Sequence, residues 1–297
     1  MIDVGIIGLD TSHAEKFAEL LSDREDATIA AVWDDGRVRD DAYAERFCES
    51  YDATRYDQAA AMVDHVDAAM VLTVNWDRHR PLAERFLDAG VPTFVDKPVA
   101  GSLEDVNALA DAAARTDTPA FGGSAVPYHP SVEPIRSDGG PHDLFAGGYN
   151  GSFYYGVHLV DTVRRIAGAD WTRVEPAPHR AAVSVTFADG SAATLRFEGP
   201  AFDGAFALLD VGEAIRTASI PGTEAELYRM YEPFLEAFLE IVAGDRSTSP
   251  WIFDASRLLL AVQATLSNDT TVTPDSESLA AVSMDGEAFS HGYSPLY

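Results

Sequence analysis

The sequence predicts an α/β protein in which a doubly wound parallel sheet is followed by an α+β domain with an open, mostly antiparallel sheet. Short apolar runs alternate with longer amphipathic runs over the first 122 residues, which is typical of parallel strands connected by helices. Residues 123–150 are then rich in Gly, Pro and Ser, and two alternating runs beyond them flank the turn Ala188-Asp189-Gly190, a hairpin signal. We therefore expect two domains, residues 1–122 and 123–297.

Hydrophobic periodicity and turn signals place the elements of both domains. In the first domain, strands are predicted over residues 2–8, 28–33, 68–73, 93–96 and 120–122, and helices over 12–21, 39–49, 58–63, 80–89 and 103–115. In the last of these helices Val106 and Leu109 share one face, and Ser102 precedes it as an N-cap. In the second domain, strands are predicted over 181–187 and 191–197, and helices over 157–166, 225–242 and 254–267.

The chain is strongly acidic. It has 48 Asp and Glu residues against 21 Lys and Arg, a formal net charge of −27, and two lysines, Lys16 and Lys97. This balance argues against nucleic acid as a partner and against binding to an anionic membrane, because both need basic clusters. A surface that replaces lysine with carboxylates is typical of adaptation to molar salt, which screens their repulsion. We therefore expect a halophile's protein rather than an acidic mesophilic one.

The sequence also predicts a cytoplasmic location. No stretch approaches the roughly 20 apolar residues that a membrane-spanning helix needs. The first residues, MIDVGIIGLD, lack the basic region of a signal peptide. Cys48 is the single cysteine, so the chain cannot form an internal disulfide.

The turn after the first predicted strand stands where a dinucleotide fold binds phosphate. Gly8 supplies the first glycine of a G-x-G-x-x-G pattern, but Asp10 and His13 occupy the second and third positions. The pattern predicts that these three residues, with Thr11 and Ser12, contact a cofactor. A plain strand-to-helix turn, capped by one of the same side chains, is the alternative.

Two further strand ends are predicted to contact the cofactor, because such sheets bind ligands at the carboxyl ends of their strands. Asp34 follows the second strand, where a carboxylate binds ribose hydroxyls and favours NAD over NADP, although nearby arginines leave NADP open. Thr73, Asn75 and His79 follow the strand over residues 68–73. His79 either touches the nicotinamide half or caps a helix.

Asp96-Lys97-Pro98 is the sharpest signal, because a chain with two lysines keeps one of them at the end of a strand. An arginine could replace a solvating cation, but it could not share a proton near neutral pH. Beside a nicotinamide ring and Asp96, Lys97 can hold a substrate hydroxyl or transfer its proton. A surface pair of Asp96 and Lys97 is the alternative.

His158 and Asp161 lie three residues apart near the start of a predicted helix and therefore share a face. They could act as a proton donor and its orienting partner. They could also be two ligands of a metal site, with His13 or His79 as a third. A partly buried histidine at a helix terminus is the simpler alternative.

In this order the segments resemble the Gfo/Idh/MocA family, named for glucose–fructose oxidoreductase and inositol dehydrogenase. The resemblance covers nearly the whole chain and rests on VGIIG, on LTVNWDRHRPLAERFLDAGVPTFVDKPVA with Asp96 in place of Glu, on GVHLVDTVRRIAG, and on YEPFLEAFLEIVAGDRSTSPWIFDASRLLLAVQATLSND. It implies an N-terminal Rossmann domain and a C-terminal domain whose open sheet supports oligomer contacts. Most members oxidise or reduce a sugar, cyclitol or similar polyol with NAD(P) and need no metal.

The resemblance also implies roles for individual residues. Lys97 would contact the nicotinamide ribose and the substrate, His158 would be the general acid/base, Asp161 would bind substrate or orient the site, and Asp34 would bind the adenosine ribose. Tyr154 stands where the family usually has an Asp, and it can relay a proton only if its pKa is lowered. The implied cofactor is NAD, with NADP possible, and the implied assembly is a homo-oligomer.

Three functions follow as hypotheses. The first is an NAD(P)-dependent oxidoreductase of a polyol, in which Lys97 and His158 handle the hydroxyl proton. The second is a ligand-binding or regulatory member without redox chemistry, motivated by Asp10 and Tyr154. The third is a metal-dependent lyase or isomerase that uses His158 and Asp161.

Overall fold

The computed structural model describes residues 1–198, 206–247 and 251–294. Within these residues the first domain contains a six-stranded parallel sheet with strand order β3-β2-β1-β4-β5-β6. This order confirms the predicted doubly wound sheet. The strands are β1 Ile2–Ile7, β2 Ala27–Trp33, β3 Thr54–Arg55, β4 Ala68–Val71, β5 Thr93–Val95 and β6 Ala120–Gly122.

Four helices cover this sheet in the described part of the first domain: α1 Ser12–Ser22, α2 Asp41–Tyr51, α3 His79–Asp88 and α4 Leu103–Thr116. The side chains of Thr11, Asp40 and Ser102 cap α1, α2 and α4 by accepting backbone N–H groups. The α-helix predicted over residues 58–63 is instead a 3₁₀ helix, Ala59–His65. Gln58 makes no side-chain capping bond there.

The second domain contains a mixed sheet, six-stranded within the described residues, with strand order β12-β11-β7-β10-β9-β8. Strands β7 and β10 are parallel, and the other neighbours are antiparallel. The predicted, mostly antiparallel sheet is therefore confirmed. The strands are β7 Asp143–Gly147, β8 Trp171–Pro176, β9 Ala182–Phe187, β10 Ala192–Arg196, β11 Phe206–Val211 and β12 Ile215–Ile220.

The helices of the second domain differ in length and position. Three long ones pack in the core, and two short ones follow α8 along the chain. The helices are α5 Glu133–Ser137, α6 Gly156–Ala167, α7 Glu224–Ala243, α8 Trp251–Asn268, α9 Glu277–Ala280 and α10 Gly286–His291. No helix of the described residues is long and apolar enough to cross a bilayer.

Aromatic side chains join the two domains. Phe234 of α7 packs edge-on against Phe94 of β5, with ring centroids 5.2 Å apart, and Phe238 stacks on Phe121 of β6 at 5.8 Å. All four rings are buried, and the burial of such a side chain contributes about 1.5–3 kcal/mol. The cluster therefore fixes α7 against the parallel sheet, beside the strand ends.

Candidate active site

Two cavities lie at the carboxyl ends of the parallel strands. The first, which we name the turn cavity, has a volume of about 450 Å³ and is lined by Asp10, Asp35, Thr73 and Asn75 among others. The second, the interdomain cavity, has a volume of about 670 Å³. Residues of both domains line it, including Ser12, His13, Lys97, Tyr154, His158 and Phe206.

The turn after β1 packs closely against Thr73, which follows β4. Gly8 has φ +93°, and a Cβ atom there would lie 2.6 Å from Cγ2 of Thr73, so only glycine fits. Asp10 follows and is 4% exposed. Its Oδ2 accepts the N–H of Val74 at 2.9 Å, whereas its Oδ1 is buried without a hydrogen-bond partner among the described residues.

The carboxyl of Asp10 is therefore poorly suited to carry a charge. Burial, with smaller contributions from Asp34 and Asp35, raises its pKa to about 7, although the hydrogen bond from Val74 opposes this rise. At neutral pH a large part of Asp10 is protonated, and the proton gives the side chain a donor that a carboxylate lacks.

His13 has a different role from the one that the glycine pattern suggested. Its Nδ1 lies 2.9 and 2.8 Å from the two carboxylate oxygens of Asp96. Burial alone would raise the pKa of Asp96, but His13 and Lys97 outweigh burial and hold it below its usual value. His13 lines the interdomain cavity, whereas Asp96 supports it from behind. Thr11 caps α1 through a 3.3 Å contact with the N–H of His13.

The predicted ribose carboxylate, Asp34, faces the backbone. Its two oxygens accept N–H groups from Leu9 at 2.8 Å and Gly36 at 2.9 Å, and it does not line the turn cavity. The next residue, Asp35, lines that cavity instead. Carboxylate oxygens of the two residues lie within 4.8 Å of each other, and the structure places Asp35 rather than Asp34 in the cavity wall.

The strand end after β4 places Thr73 and Asn75 in the wall of the turn cavity. His79 does not reach either cavity and is fully buried. Its Nε2 lies 2.8 Å from the carbonyl oxygen of Thr73, and its Nδ1 lies 3.2 Å from that of Val99. His79 therefore holds two strand-end loops together from behind the cavity walls, and the structure does not bring it to the place where a cofactor contact was predicted.

Lys97 extends into the interdomain cavity beneath aromatic rings. It is 8% exposed, and its Nζ lies 3.4 Å from the centroid of the Tyr154 ring, a cation–π contact. Burial lowers the pKa of Lys97 to about 8, although Asp96 acts in the opposite direction. The side chain thus exchanges its proton close to physiological pH.

Tyr154 cannot serve as the proton relay considered from the sequence. Burial, together with nearby acidic groups, strongly raises the pKa of its phenol, so the hydroxyl stays protonated. The ring lies between Lys97 and Phe289, whose centroid is 4.4 Å away. Tyr154 therefore acts as an aromatic platform for the ammonium group.

His158 lines the interdomain cavity and is held by Ser124. Its Nδ1 lies 2.7 Å from Oγ of Ser124, and the same oxygen accepts the N–H of Val126 at 3.1 Å. With the Ser124 hydroxyl as the donor to Nδ1, the neutral imidazole carries its proton on Nε2. Burial, and then the nearby charges of Lys97 and His13, hold the pKa of His158 well below its usual value, so the ring is neutral.

Asp161 supports this arrangement without lining either cavity. Its Oδ2 accepts the N–H of Ser124 at 2.7 Å, and a Cβ atom at Gly123 would lie 2.6 Å from the same oxygen. Burial raises its pKa to about 7. Of the two roles that the resemblance implied for Asp161, this placement fits the orienting one, through Ser124, a residue that was not singled out from the sequence.

A serine-to-alanine substitution tests this connection. In Ser124→Ala the imidazole of His158 loses its partner, and we expect ¹⁵N NMR to show a mixture of ring tautomers where the natural chain shows one. Loss of one neutral hydrogen bond costs about 1 kcal/mol, so both tautomers of the ring should become populated. Ser131→Ala is the matched control, because Ser131 makes the same 2.7 Å contact with His129 away from both cavities. An unchanged tautomer in Ser124→Ala would contradict the assignment.

Helix α10 forms a wall between the two cavities and was not predicted. The carboxylate of Glu287 accepts hydrogen bonds from Asn75 at 2.6 Å and from Arg37 at 2.7 and 2.8 Å. Asp77 accepts the N–H groups of Gly286 and Glu287, both at 3.0 Å. A helix of six residues carries too little periodicity for a prediction.

The residues proposed as metal ligands do not come together. Among the described residues, the carboxylates of Asp10, Asp34 and Asp35 form the one group that could share a cation. His158 and Asp161 are absent from that group, since each is turned toward Ser124. The geometry therefore gives no support to the metal-dependent hypothesis.

Comparison with known proteins identifies relatives at two levels. Residues 2–123 match the Gfo/Idh/MocA model, described as an oxidoreductase family with an NAD-binding Rossmann fold, which agrees with the predicted cofactor. YceM of Salmonella typhimurium, provisionally named an oxidoreductase, is 26% identical over 186 residues, a match that spans 56% of this chain and 57% of that protein.

Solved structures share the whole fold. Myo-inositol dehydrogenase from Lactobacillus casei, solved with NAD(H) and myo-inositol, superposes with a TM-score of 0.78 at 16% identity, covering 92% of this chain and 96% of that one. Scyllo-inositol dehydrogenase from the same organism, solved with NAD(H) and scyllo-inositol, gives 0.76 at 15% identity, with 93% and 100% covered. Residues 2–123 are therefore similar in sequence to the NAD-binding Rossmann domain of the Gfo/Idh/MocA oxidoreductase family, and the chain shares the fold of the two inositol dehydrogenases.

Proposed function

We propose that the protein is an NAD-dependent oxidoreductase that acts on a CH–OH group of a polyol such as a sugar or cyclitol. The observation that carries the proposal is the convergence of Lys97 and His158, from two different domains, on one cavity beside the turn after β1. Two solved structures of the same fold hold NAD(H) together with an inositol, which supports both the cofactor and the substrate class.

The residues of the turn after β1 fit a dinucleotide if the carboxyl of Asp10 is protonated. Gly8 allows a pyrophosphate to approach the backbone, and the N-terminus of α1 favours its charge. Asp10 fits when it is protonated, because its buried Oδ1, which has no hydrogen-bond partner among the described residues, would otherwise be an uncompensated negative charge in the cavity wall. Arg37 is already paired with Asp35 and Glu287, and this pairing favours NAD over a cofactor that carries a further phosphate.

The side chains of the interdomain cavity divide the proton chemistry between them. NAD, when bound, supplies the acceptor for the hydride that leaves the substrate carbon. With a pKa near 8, Lys97 can be a neutral amine, and in the oxidative direction its Nζ takes the proton of the reacting hydroxyl. Neutral His158 donates from Nε2 to the same substrate oxygen and orients it. This division differs from the role implied by the family resemblance, in which the histidine is the general acid/base.

Titration of the protein with NADH, followed by fluorescence at low salt and at about 2 M KCl, tests the proposal. Saturable binding, followed by turnover with a panel of inositols and sugars, is the expected result. Intact protein that binds a polyol but no NADH would instead support the non-redox hypothesis. The halophilic surface, the cytoplasmic location and the homo-oligomer stay predictions from the sequence.

The pH dependence of NADH binding tests the condition on Asp10. Since the charged carboxylate repels the pyrophosphate, the dissociation constant should rise about tenfold between pH 6 and 8 for a group of pKa about 7. Asp10→Asn should bind with one affinity across this range. The control is Asp88→Asn, an exposed carboxylate of α3, which should behave like the natural chain. A pH-independent affinity in the natural chain would contradict the condition.

A further inference from the structure

A third cavity, of about 310 Å³, lies at the C-terminal end of α6. Four arginines line it, and no Asp or Glu of the described residues does. This composition is unusual for a chain with 48 acidic and 21 basic residues. The arginines are Arg136, Arg164, Arg165 and Arg246.

Three of these arginines are neutralised by carboxylates that lie outside the lining. Their side chains nevertheless contribute N–H groups and positive charge to the wall, since a guanidinium has five donors. The pairs are Arg136 with Glu133, Arg246 with Glu240, and Arg164 with Asp170 and Asp254.

Arg165 differs, because no carboxylate of the described residues pairs with it. It donates to the hydroxyl of Tyr128 at 2.9 Å and stacks on that ring, with Cζ 3.9 Å from the centroid. Its Nε is buried and has no hydrogen-bond partner among the described residues. Burial, and then the neighbouring guanidinium groups of Arg136 and Arg246, lower the pKa of Arg165. An anion beside Arg165 would satisfy Nε and relieve this repulsion.

The clustering of arginines around this cavity is partly explained by the favourable interaction of positive side chains with the C-terminal end of a helix. Arg164 and Arg165 lie in the last turn of α6, where positive charge is favourable. This effect does not explain why the facing walls of a cavity lack acidic residues, or why a buried donor is left unused. Both features are typical of a binding site for an oxyanion, which guanidinium groups hold through paired hydrogen bonds.

We propose that this cavity binds the phosphate group of a small metabolite, with Arg165 as its central ligand. A phosphate carries up to two charges and accepts from several directions, which suits arginines on different elements. The volume leaves room for an organic part beside Trp251, whose ring lies 5.9 Å from Cζ of Arg165. The cavity shares no lining residue with the turn or interdomain cavity, so the site is separate from the proposed redox centre.

Calorimetry and ³¹P NMR with inorganic phosphate, at constant ionic strength and chloride, test the proposal in the full chain. We expect saturable binding with a dissociation constant of about 1 mM or lower. Arg165→Gln should weaken it at least about tenfold, while NADH titration is unchanged. Arg246→Gln should also weaken phosphate binding. Because Arg246 is 41% exposed, this variant should fold normally, and it tests the site even if Arg165→Gln misfolds. Arg115→Gln, an exposed arginine of α4, is the control.

Three results would overturn the proposal. The first is the absence of phosphate binding to the folded natural chain. The second is equal affinity in the natural chain, Arg165→Gln and Arg246→Gln, which would show an adventitious ion only. The third is binding of acetate or citrate at this cavity in preference to phosphate, which would assign it to carboxylates.

Discussion

Lys97→Met should lower turnover of a polyol substrate by about 10²–10⁴-fold while NADH binding is retained. Methionine keeps the unbranched apolar stem of lysine, but it has no amine to accept the hydroxyl proton. In the natural chain, kcat/KM for oxidation should rise with pH and level off above about 8, because the amine accepts a proton only after losing its own. The variant should lose this rise.

The second lysine of the chain provides a matched control. Lys16 lies on α1 and is paired with Glu19 and Glu224, so Lys16→Met should turn over normally. Lys97→Arg separates charge from proton transfer, because arginine keeps the cation but does not deprotonate. If Lys97→Arg retained the activity of the natural chain, Nζ would be an electrostatic contact and the proton would leave by another group.

His158→Leu should lower turnover by about 10²–10³-fold, the typical effect of removing one positioned donor at a developing charge. His158→Gln should recover part of this loss, because its amide can donate from a similar position. The low pKa of His158 predicts that neither variant changes the pH at which activity rises. His65→Gln, an exposed histidine in the first domain, is the control.

The comparison between the two His158 variants is decisive for the role of the ring. Equal losses in His158→Leu and His158→Gln, together with a shift of the pH profile, would assign proton transfer to the imidazole. Steady-state measurements over pH 6–9 on folded variants, checked by circular dichroism, provide both readouts.

The parallel sheet was predictable because alternation of strand and helix is a local property of the sequence. Strands of the second sheet were harder to predict. Strand β12, with the sequence IRTASI, leaves Ile215 74% exposed, and so its alternation carries little hydrophobic signal. For residues 58–63, the hydrophobic periodicity predicted a helix but could not distinguish a 3₁₀ helix from an α-helix.

The candidate site was partly predictable. The scarcity of lysine singled out Lys97, and the strand ends placed Thr73 and Asn75 at the wall of the turn cavity. Spacing could not reveal that Asp161 faces the backbone of Ser124, because this orientation depends on where the crossing between domains runs. Nor could it show that Asp35, and not Asp34, lines the turn cavity, because this depends on the direction of each side chain.

Helix α10 forms part of the wall of the turn cavity, so its local stability affects access to that cavity. Glu287 reaches Arg37 and Asn75 across 250 and 212 positions of the chain, and a helix of six residues is not stable on its own. Its order therefore depends on tertiary contacts, which also include the hydrogen bonds to Asp77 and the packing of Phe289 on Tyr154, and we expect it to unfold at a lower free energy than either sheet. Hydrogen exchange at Glu287 and its neighbours would thus report on the opening of the cavity while the strands beneath stay protected.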